Sequence, residues 1–226
     1  KIIIELGVVY MKVYLSPSMQ QHNIYATNNT NEMVQCNRIA EYADIALTRC
    51  GFDVKRAPQG QQMKESVKES NEWGADLHIP IHTNASNGNC GGTLVMVYSN
   101  AESNMKAARP IYNNVQSVTL GKTEYGIKVN KSLAELNSTK AIAVYIECDF
   151  HDNKEIAEWI IDNVKTIGEA ICKGICEYAN TPYIEQKKDK GTIYKVQLGA
   201  FINIENAIRL RDEIKSKGYE AIVVTK

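Results

Sequence analysis

The chain lacks an excess of charge of either sign, a long apolar run and any closely paired cysteines. Lysine and arginine total 26 in 226 residues, as do aspartate and glutamate, so the formal net charge is zero. A neutral chain without a basic block offers no electrostatic reason to bind nucleic acid. No apolar stretch approaches the roughly 20 residues that a membrane-spanning helix requires, so we expect no membrane span.

The six cysteines include no Cys-x-x-Cys pair, which argues against a cysteine zinc site or a thioredoxin-like motif. They are Cys36, Cys50, Cys90, Cys148, Cys172 and Cys176. The last two share one face of a predicted helix, where a disulfide would be geometrically awkward. We therefore expect reduced thiols that pack as small hydrophobic side chains, as in a protein made in the cytosol.

Residues 1–10 resemble a leader or an added extension rather than a signal peptide. Glu5 interrupts their apolar run, and no Ala-x-Ala-like cleavage site follows. We expect the native start at Met11 and no export signal.

From Met11, short apolar segments alternate with helical patterns. The predicted strands are 12–15, 52–56, 77–82, 91–98 and 143–147, and the predicted helices are 31–50, 63–73, 104–118 and 153–178. The stretch between 119 and 142 is expected to be a loop. Strands that alternate with helices predict an α/β fold with a mainly parallel sheet covered on both faces.

The end of the chain is expected to form a separate small module. Residues 180–190 are polar and charged, a composition typical of a linker between a domain at 11–179 and a module at 191–226. The module has a β-α-β pattern, with strands at 193–198 and 221–224 around a helix at 205–217. It is shorter than the roughly 40 residues below which small domains usually need extra support.

Two apolar strands end in side chains that can do chemistry. Residues 76–84 lead to His82 and a polar turn, and residues 143–147 end at Glu147. Open α/β sheets place their sites at the carboxyl ends of strands, so we expect the two side chains in one site. A carboxylate at the end of an apolar strand is also costly to bury without a partner.

His22, Glu32 and His82 are the donor types of a catalytic zinc site, with Glu147 as a general base that is not a ligand. They come from separate segments and contain no His-Glu-x-x-His motif. The competing interpretation therefore stays open: a histidine can be a hydrogen-bonded surface residue, and Glu32 can simply favour the start of its helix.

The other two histidines and two of the cysteines are weaker candidates. His78 shares a strand face with His82, but a core histidine is the favoured interpretation, and His151 is assigned to the loop before the last helix. A cysteine nucleophile is the rival chemistry. Alternation turns Cys148 away from the face of Glu147, and Cys90 has no evident orienting partner.

Three segments resemble the zinc-dependent N-acetylmuramoyl-L-alanine amidases of bacterial autolysins and phage endolysins. They are 76–84, 143–150 and 32–40, and the resemblance spans roughly 12–178. It implies a twisted, mainly parallel sheet flanked by helices and one zinc held by His-Glu-His. Carried over by position, His82 and Glu32 are ligands and Glu147 is the catalytic glutamate. The first histidine falls on His22, after a Ser-Pro-Ser turn, and Asn84 is expected to help shape the site.

The tail is similar to the first half of a sporulation-related (SPOR) domain, in the segments 194–201, 205–207 and 218–219. Such domains are implied to bind peptidoglycan, notably glycan strands stripped of stem peptides. Only one β-α-β half is present, so its sheet edge would be exposed. Either the chain is cut short or a second copy completes the sheet in a homodimer.

The resemblance therefore implies a peptidoglycan hydrolase that cuts between N-acetylmuramic acid and L-alanine of the stem peptide. Its partner is peptidoglycan, with neither nucleic acid nor membrane expected. It would act at the bacterial cell wall, after release from the cytoplasm by lysis, in autolysis, sporulation or phage lysis. Two alternatives stay open: another zinc peptidase acting on stem peptides, and a non-catalytic wall-binding module.

Overall fold

The computed structural model describes residues 11–186 and 197–224. The chain divides into two units, Lys1–Gln186 and Lys187–Lys226. The expected leader, residues 1–10, and most of the predicted strand 193–198 lie outside the described residues. Within the described part of the chain, no helix has both the length and the apolar character needed to cross a membrane.

The first unit alternates strands with helices, as the sequence predicts. Its strands are β1 (Lys12–Pro17), β2 (Asp53–Arg56), β3 (Leu77–Asn84), β4 (Leu94–Val97), β5 (Gly126–Val129), β6 (Ile142–Ala143) and β7 (Tyr145–Phe150). Its helices are α1 (Glu32–Arg49), α2 (Met63–Trp73), α3 (Glu102–Val118), α4 (Ala134–Asn137), α5 (Lys154–Asp162) and α6 (Val164–Ala179).

The strands form one mixed, mainly parallel sheet in the order β2-β1-β3-β7-β4-β5, with β6 also paired to β3. Only the β4–β7 pairing is antiparallel among the described strands. The predicted sheet type is confirmed. The register sets His82 of β3 beside Glu147 of β7, which fixes both residues at the carboxyl ends of neighbouring strands.

Helix α6 packs between α1 and α3 at two glycines. A Cβ added to Gly168 would lie 2.8 Å from the backbone nitrogen of Ala43 and 2.8 Å from the carbonyl oxygen of Ile39. One added to Gly174 would lie 2.5 Å from the Cα of Ile111. Glycine has no side chain at either position, and this allows the three helices to approach closely. They cover the sheet with a densely packed core.

Several predicted elements of the first unit differ from the structure, among them the strand predicted at 143–147, which is divided into β6 and a longer β7. The helix predicted over 153–178 is interrupted at Asn163, whose φ and ψ of −119° and 20° leave the helical region. The predicted loop at 119–142 contains β5, α4 and β6, which are too short and, in β5, too exposed to give a periodic signal. Strand β4 starts at Leu94, three residues later than predicted, because Gly92 is held instead by the side chain of Asp149.

The second unit contains one described helix, α7 (Ile204–Ser216). Its first turn is capped by Asn203, whose side chain accepts a hydrogen bond from the backbone N–H of Glu205 at 2.8 Å. The helix predicted over 205–217 is confirmed. No strand is assigned to residues 221–224 within the described range 197–224, and the strand predicted to pair with them, 193–198, lies mostly outside the described residues, so this prediction stays untested. Extended backbone becomes a strand only when a neighbour completes its ladder.

Candidate active site

Glu32 and His82 meet at the carboxyl edge of the sheet. Asn31 caps α1 by accepting a hydrogen bond from the backbone N–H of Val34 at 3.0 Å, and this places Glu32 in the first helical turn. His82 comes from the end of β3, and its Nδ1 lies 2.7 Å from Oε1 of Glu32. Their side chains are only 9% and 1% exposed, so the pair is desolvated. The structure therefore brings together two of the three predicted ligands.

The third predicted ligand, His22, lies on the loop that borders this pair. Gln20 on the same loop places Nε2 at 3.4 Å from Nδ1 of His82, and the side-chain amide of Asn23 donates to Oε2 of Glu32 at 2.6 Å. His22 itself is exposed. Among the described residues, His22, Glu32 and His82 do not form a group whose donor atoms all lie within 4.8 Å of one another. The loop thus reaches both partners through the neighbours of His22.

Glu147 is partly buried, and its Oε2 atom is buried without a hydrogen-bond partner in the described structure. Burial raises the pKa of this carboxyl to about 7, with a smaller rise from the charge of Glu32 and an opposing effect of His82. A buried carboxylate without a hydrogen-bond partner destabilises the folded state, and such groups are typical of functional sites. Its pKa also suits a group that must both accept and release a proton near neutral pH.

A third carboxylate, Glu135 of α4, completes the cluster and was not predicted from the sequence. Its Oε2 lies 3.9 Å from Nε2 of His82, on the side of the ring away from Glu32. Its Oε1 accepts a hydrogen bond from the hydroxyl of Ser16 at 2.5 Å and lies 3.4 Å from Nε2 of His78. Although burial opposes ionisation, the nearby imidazoles of His78 and His82 hold the pKa of Glu135 at about 2. The only sequence signal was a carboxylate one residue before the buried Leu136.

Three carboxylates therefore surround one imidazole. Burial alone would lower the pKa of His82, but the neighbouring carboxylates of Glu135, Glu32 and Glu147 raise it to about 10. Burial likewise opposes ionisation of Glu32, yet the hydrogen bond and charge of His82 lower its pKa. The ring of Tyr145 stacks on His82 at 4.4 Å and covers it. A buried cluster with this surplus of negative charge, built from carboxylate and imidazole donors, has the chemistry of a cation site.

The remaining predicted residues lie outside this cluster or behind it. His78 is fully buried, bonded to the hydroxyl of Ser70 at 3.0 Å, as expected for a core histidine. His151 follows β7, and its Nδ1 lies 3.0 Å from the hydroxyl of Thr83. The side chain of Asn84 accepts a hydrogen bond from the adjacent N–H of Ala85, so it shapes the turn after β3.

The rival cysteine chemistry finds no support in the geometry. Cys148 is fully buried, and burial raises the pKa of its thiol well above the ordinary value. Cys90 is partly exposed, and its sulfur lies 3.5 Å from the side-chain oxygen of Asn87 rather than beside a histidine. A thiol nucleophile needs an adjacent base to activate it. The sulfur of Cys90 contacts an amide oxygen instead, and burial disfavours the thiolate of Cys148.

Comparison with protein families gives two matches. The family model described as N-acetylmuramoyl-L-alanine amidase matches residues 18–177, and a SPOR domain model matches residues 177–225. The first match includes all four residues that the sequence singled out, His22, Glu32, His82 and Glu147. The second begins well before residue 191, where the module was expected to start.

Curated relatives agree with the first match. The chain is 25% identical over 172 residues to "N-acetylmuramoyl-L-alanine amidase CwlM" of Bacillus licheniformis, covering 75% of this chain and 65% of that protein. It is 23% identical over 189 residues to "Sporulation-specific N-acetylmuramoyl-L-alanine amidase" of Bacillus subtilis, covering 82% and 69%. The chain thus spans about two thirds of the length of these relatives.

Solved structures share the fold. The catalytic domain of the amidase CwlV from Paenibacillus polymyxa superposes with a TM-score of 0.69 at 16% identity, covering 77% of this chain and 100% of that one. The catalytic domain of the CD27L endolysin, which targets Clostridium difficile, gives a TM-score of 0.60 at 26% identity, covering 74% and 97%. Both matches cover nearly the whole of a catalytic domain.

Proposed function

Because the chain belongs to the N-acetylmuramoyl-L-alanine amidase family, we propose that it hydrolyses the amide between the lactyl group of N-acetylmuramic acid and L-alanine of the stem peptide in peptidoglycan. The observation that supports this activity most directly is the position of Glu147. Its buried, unpartnered Oε2 comes from the strand next to the one that carries His82. This is the arrangement that hydrolysis by an activated water needs.

We assign His22, Glu32 and His82 as the ligands of one zinc ion. The converging carboxylates and the loop that flanks the Glu32–His82 pair support this set. His22 lies in the loop between Gln20 and Asn23, which contact His82 and Glu32, and from there it would complete the ligand set. When bound, zinc lowers the pKa of a water molecule and polarises the scissile carbonyl.

Glu147 is assigned as the general base. Its Oε2 accepts the proton of the attacking water and then donates it to the nitrogen of the leaving L-alanine. A carboxyl whose pKa is about 7 exchanges a proton in both directions more easily than one at the ordinary value.

Glu135 is assigned as a positioning residue for His82. Histidines that bind a metal through one ring nitrogen usually have a carboxylate or carbonyl at the other. Here Nδ1 faces Glu32 and Nε2 faces Glu135, so the ring orientation is fixed from both sides. Ser16 and His78 in turn hold the carboxylate of Glu135, which keeps the whole assembly rigid.

The test is mass spectrometry of the products released from purified peptidoglycan, with and without a chelator, together with metal analysis. We expect about one zinc per chain and free stem peptides beginning with L-alanine, which disappear on chelation. Glu147→Gln should keep its zinc and lose about 100-fold to 10,000-fold in turnover. Cuts inside the stem peptide would favour another zinc peptidase. Absence of products and metal would favour a wall-binding module.

The His22 assignment has its own control. His22→Ala should weaken zinc binding in a competition assay, whereas Gln21→Ala, at the neighbouring exposed position of the same loop, should not. Equal zinc affinity in the two variants would remove His22 from the ligand set.

The SPOR match supports binding to peptidoglycan glycan strands at the bacterial cell wall. We further propose that the module at 191–226 pairs with a second copy, because α7 carries isoleucines along one face and none of its residues is buried. The mass of the full chain in solution, measured by light scattering, tests this. A dimer that dissociates when residues 191–226 are deleted supports the pairing, and a monomeric full chain contradicts it.

A further inference from the structure

Three cysteine thiols converge at the end of α1 that is remote from the active site. Cys50 caps the C-terminus of α1, and Cys172 and Cys176 lie one turn apart on α6. The sulfur of Cys172 is 3.7 Å from that of Cys50 and 3.9 Å from that of Cys176. Glu32 begins the same 18-residue helix, so about 27 Å of helix separates this cluster from the catalytic residues.

The cluster is buried but has polar neighbours. The three residues are 6%, 0% and 2% exposed, in chain order. The backbone N–H of Ile184 donates to the sulfur of Cys50 at 3.3 Å. The guanidinium of Arg49, next in sequence, donates to the carbonyl oxygen of Ile184 at 2.8 Å. The segment after α6 is thus held over the thiols by groups that can also stabilise negative charge on sulfur.

We propose that Cys50, Cys172 and Cys176 form a three-thiolate site for one soft cation, which fits Cu(I) best. Metal–sulfur bonds of about 2.3 Å give sulfur–sulfur distances of about 3.8 Å in a tetrahedral site and about 4.0 Å in a trigonal one. The measured separations of 3.7 and 3.9 Å are close to these values, and all three sulfurs lie within 4.8 Å of one another.

The number of donors selects the ion. Within residues 11–186 and 197–224, no further histidine, cysteine, aspartate or glutamate joins the three sulfurs. Structural zinc is almost always four-coordinate, whereas thiolates also select Cu(I) through their softness. Binding of the cation as a three-thiolate complex releases the three thiol protons to solvent, and the cation then ties the end of α1 to α6. No Cys-x-x-Cys motif is involved, because the fold joins residues that are 122 positions apart.

The test loads the full chain, its catalytic site already filled with zinc, with Cu(I) under anaerobic conditions against a competing chromophoric chelator. We expect about one copper per chain, with only sulfur neighbours in X-ray absorption spectra. Cys172→Ala/Cys176→Ala should lose this copper, whereas Cys90→Ala, at a partly exposed cysteine outside the cluster, should retain it.

Circular dichroism melting establishes that the double variant is folded before its copper is measured. The X-ray absorption spectrum of the copper-loaded unaltered chain tests the proposal even if the double variant does not fold. Nitrogen or oxygen neighbours, or copper retention by the folded double variant, would overturn the proposal. Because the readout is copper and not hydrolysis, its outcome is independent of the proposed amidase activity.

Discussion

Helices α6 and α7 both carry isoleucines along one face, yet only α6 buries them. Ile171 of α6 is fully buried between α1 and α3, whereas Ile204 and Ile208 of α7 are 54% and 37% exposed. No residue of α7 is buried. An amphipathic pattern predicts which face of a helix can be buried. That face becomes buried only where another part of the protein packs against it. The first unit supplies that surface from its own sheet and helices.

The same contrast holds for ion pairs. His82 and Glu32 approach to 2.7 Å with side chains 9% and 1% exposed. Lys217 and Glu213 in the second unit approach to the same 2.7 Å with side chains 64% and 58% exposed. Water screens the second pair, so its contribution to stability is small. Breaking the His82–Glu32 pair would leave a buried group without a partner. The pair therefore keeps the two active-site side chains in one geometry.

Matched isoleucine substitutions test the contrast most strongly. Ile171→Ala removes a fully buried side chain and should lower the free energy of unfolding by about 2–5 kcal/mol. Ile208→Ala, in α7, should change the unfolding of the first unit by less than about 0.5 kcal/mol. Chemical denaturation followed by tryptophan fluorescence measures both, because Trp73 and Trp159 lie in α2 and α5. Similar losses of unfolding free energy in the two variants would show that burial does not distinguish the two isoleucines.

A second contrast lies inside the first unit, between two aspartates that hold loops. The fully buried carboxylate of Asp149 accepts hydrogen bonds from the backbone N–H groups of Gly92, Gly121 and Phe150 at 2.7, 2.9 and 2.9 Å. Asp149→Ala leaves these donors unpaired and should cost about 2–4 kcal/mol.

The control for Asp149 is Asp152, which holds the loop after β3. Its carboxylate accepts from the backbone N–H groups of Ser86 and Gly88 at 2.7 and 2.9 Å, close to solvent. Water can replace these bonds, so Asp152→Ala should cost no more than about 1 kcal/mol. Thermal unfolding of the two variants decides the order, and a larger loss for Asp152→Ala would show that burial is not what matters.

Glu135 gives a smaller effect that is specific to the site. Glu135→Gln removes the charge at Nε2 of His82 and should weaken zinc binding by about 10-fold to 100-fold. Glu135→Asp, which keeps the charge, should recover part of the affinity, and Glu155→Gln, at an exposed position of α5, should change nothing. Competition with a chromophoric chelator measures all three. A purely structural role for Glu135 would lower the melting temperature and leave the zinc affinity of the folded variant unchanged.

The elements that the sequence predicts correctly are those that one strong local pattern determines. The capped α1, the glycine-terminated α2 and the apolar β3 have clear signals, and the strand ends then place His82 beside Glu147. Glu135 was missed because α4 is a single turn in a stretch without periodicity. The thiol cluster was missed for a different reason: Cys50 and Cys172 meet only through packing of α1 on α6, which no local spacing encodes.

Deleting everything after Gln186 should have the smallest effect on catalysis. The first unit buries its own core and contains all the residues assigned to the reaction, so turnover on soluble fragments of peptidoglycan should not change. Binding to whole sacculi should fall, because the SPOR match lies mostly in the deleted part. A pull-down with sacculi, set beside the rate on soluble fragments, separates the two effects. If the truncated chain loses both, the active site depends on the second unit, and burial within the first unit is not enough to hold it.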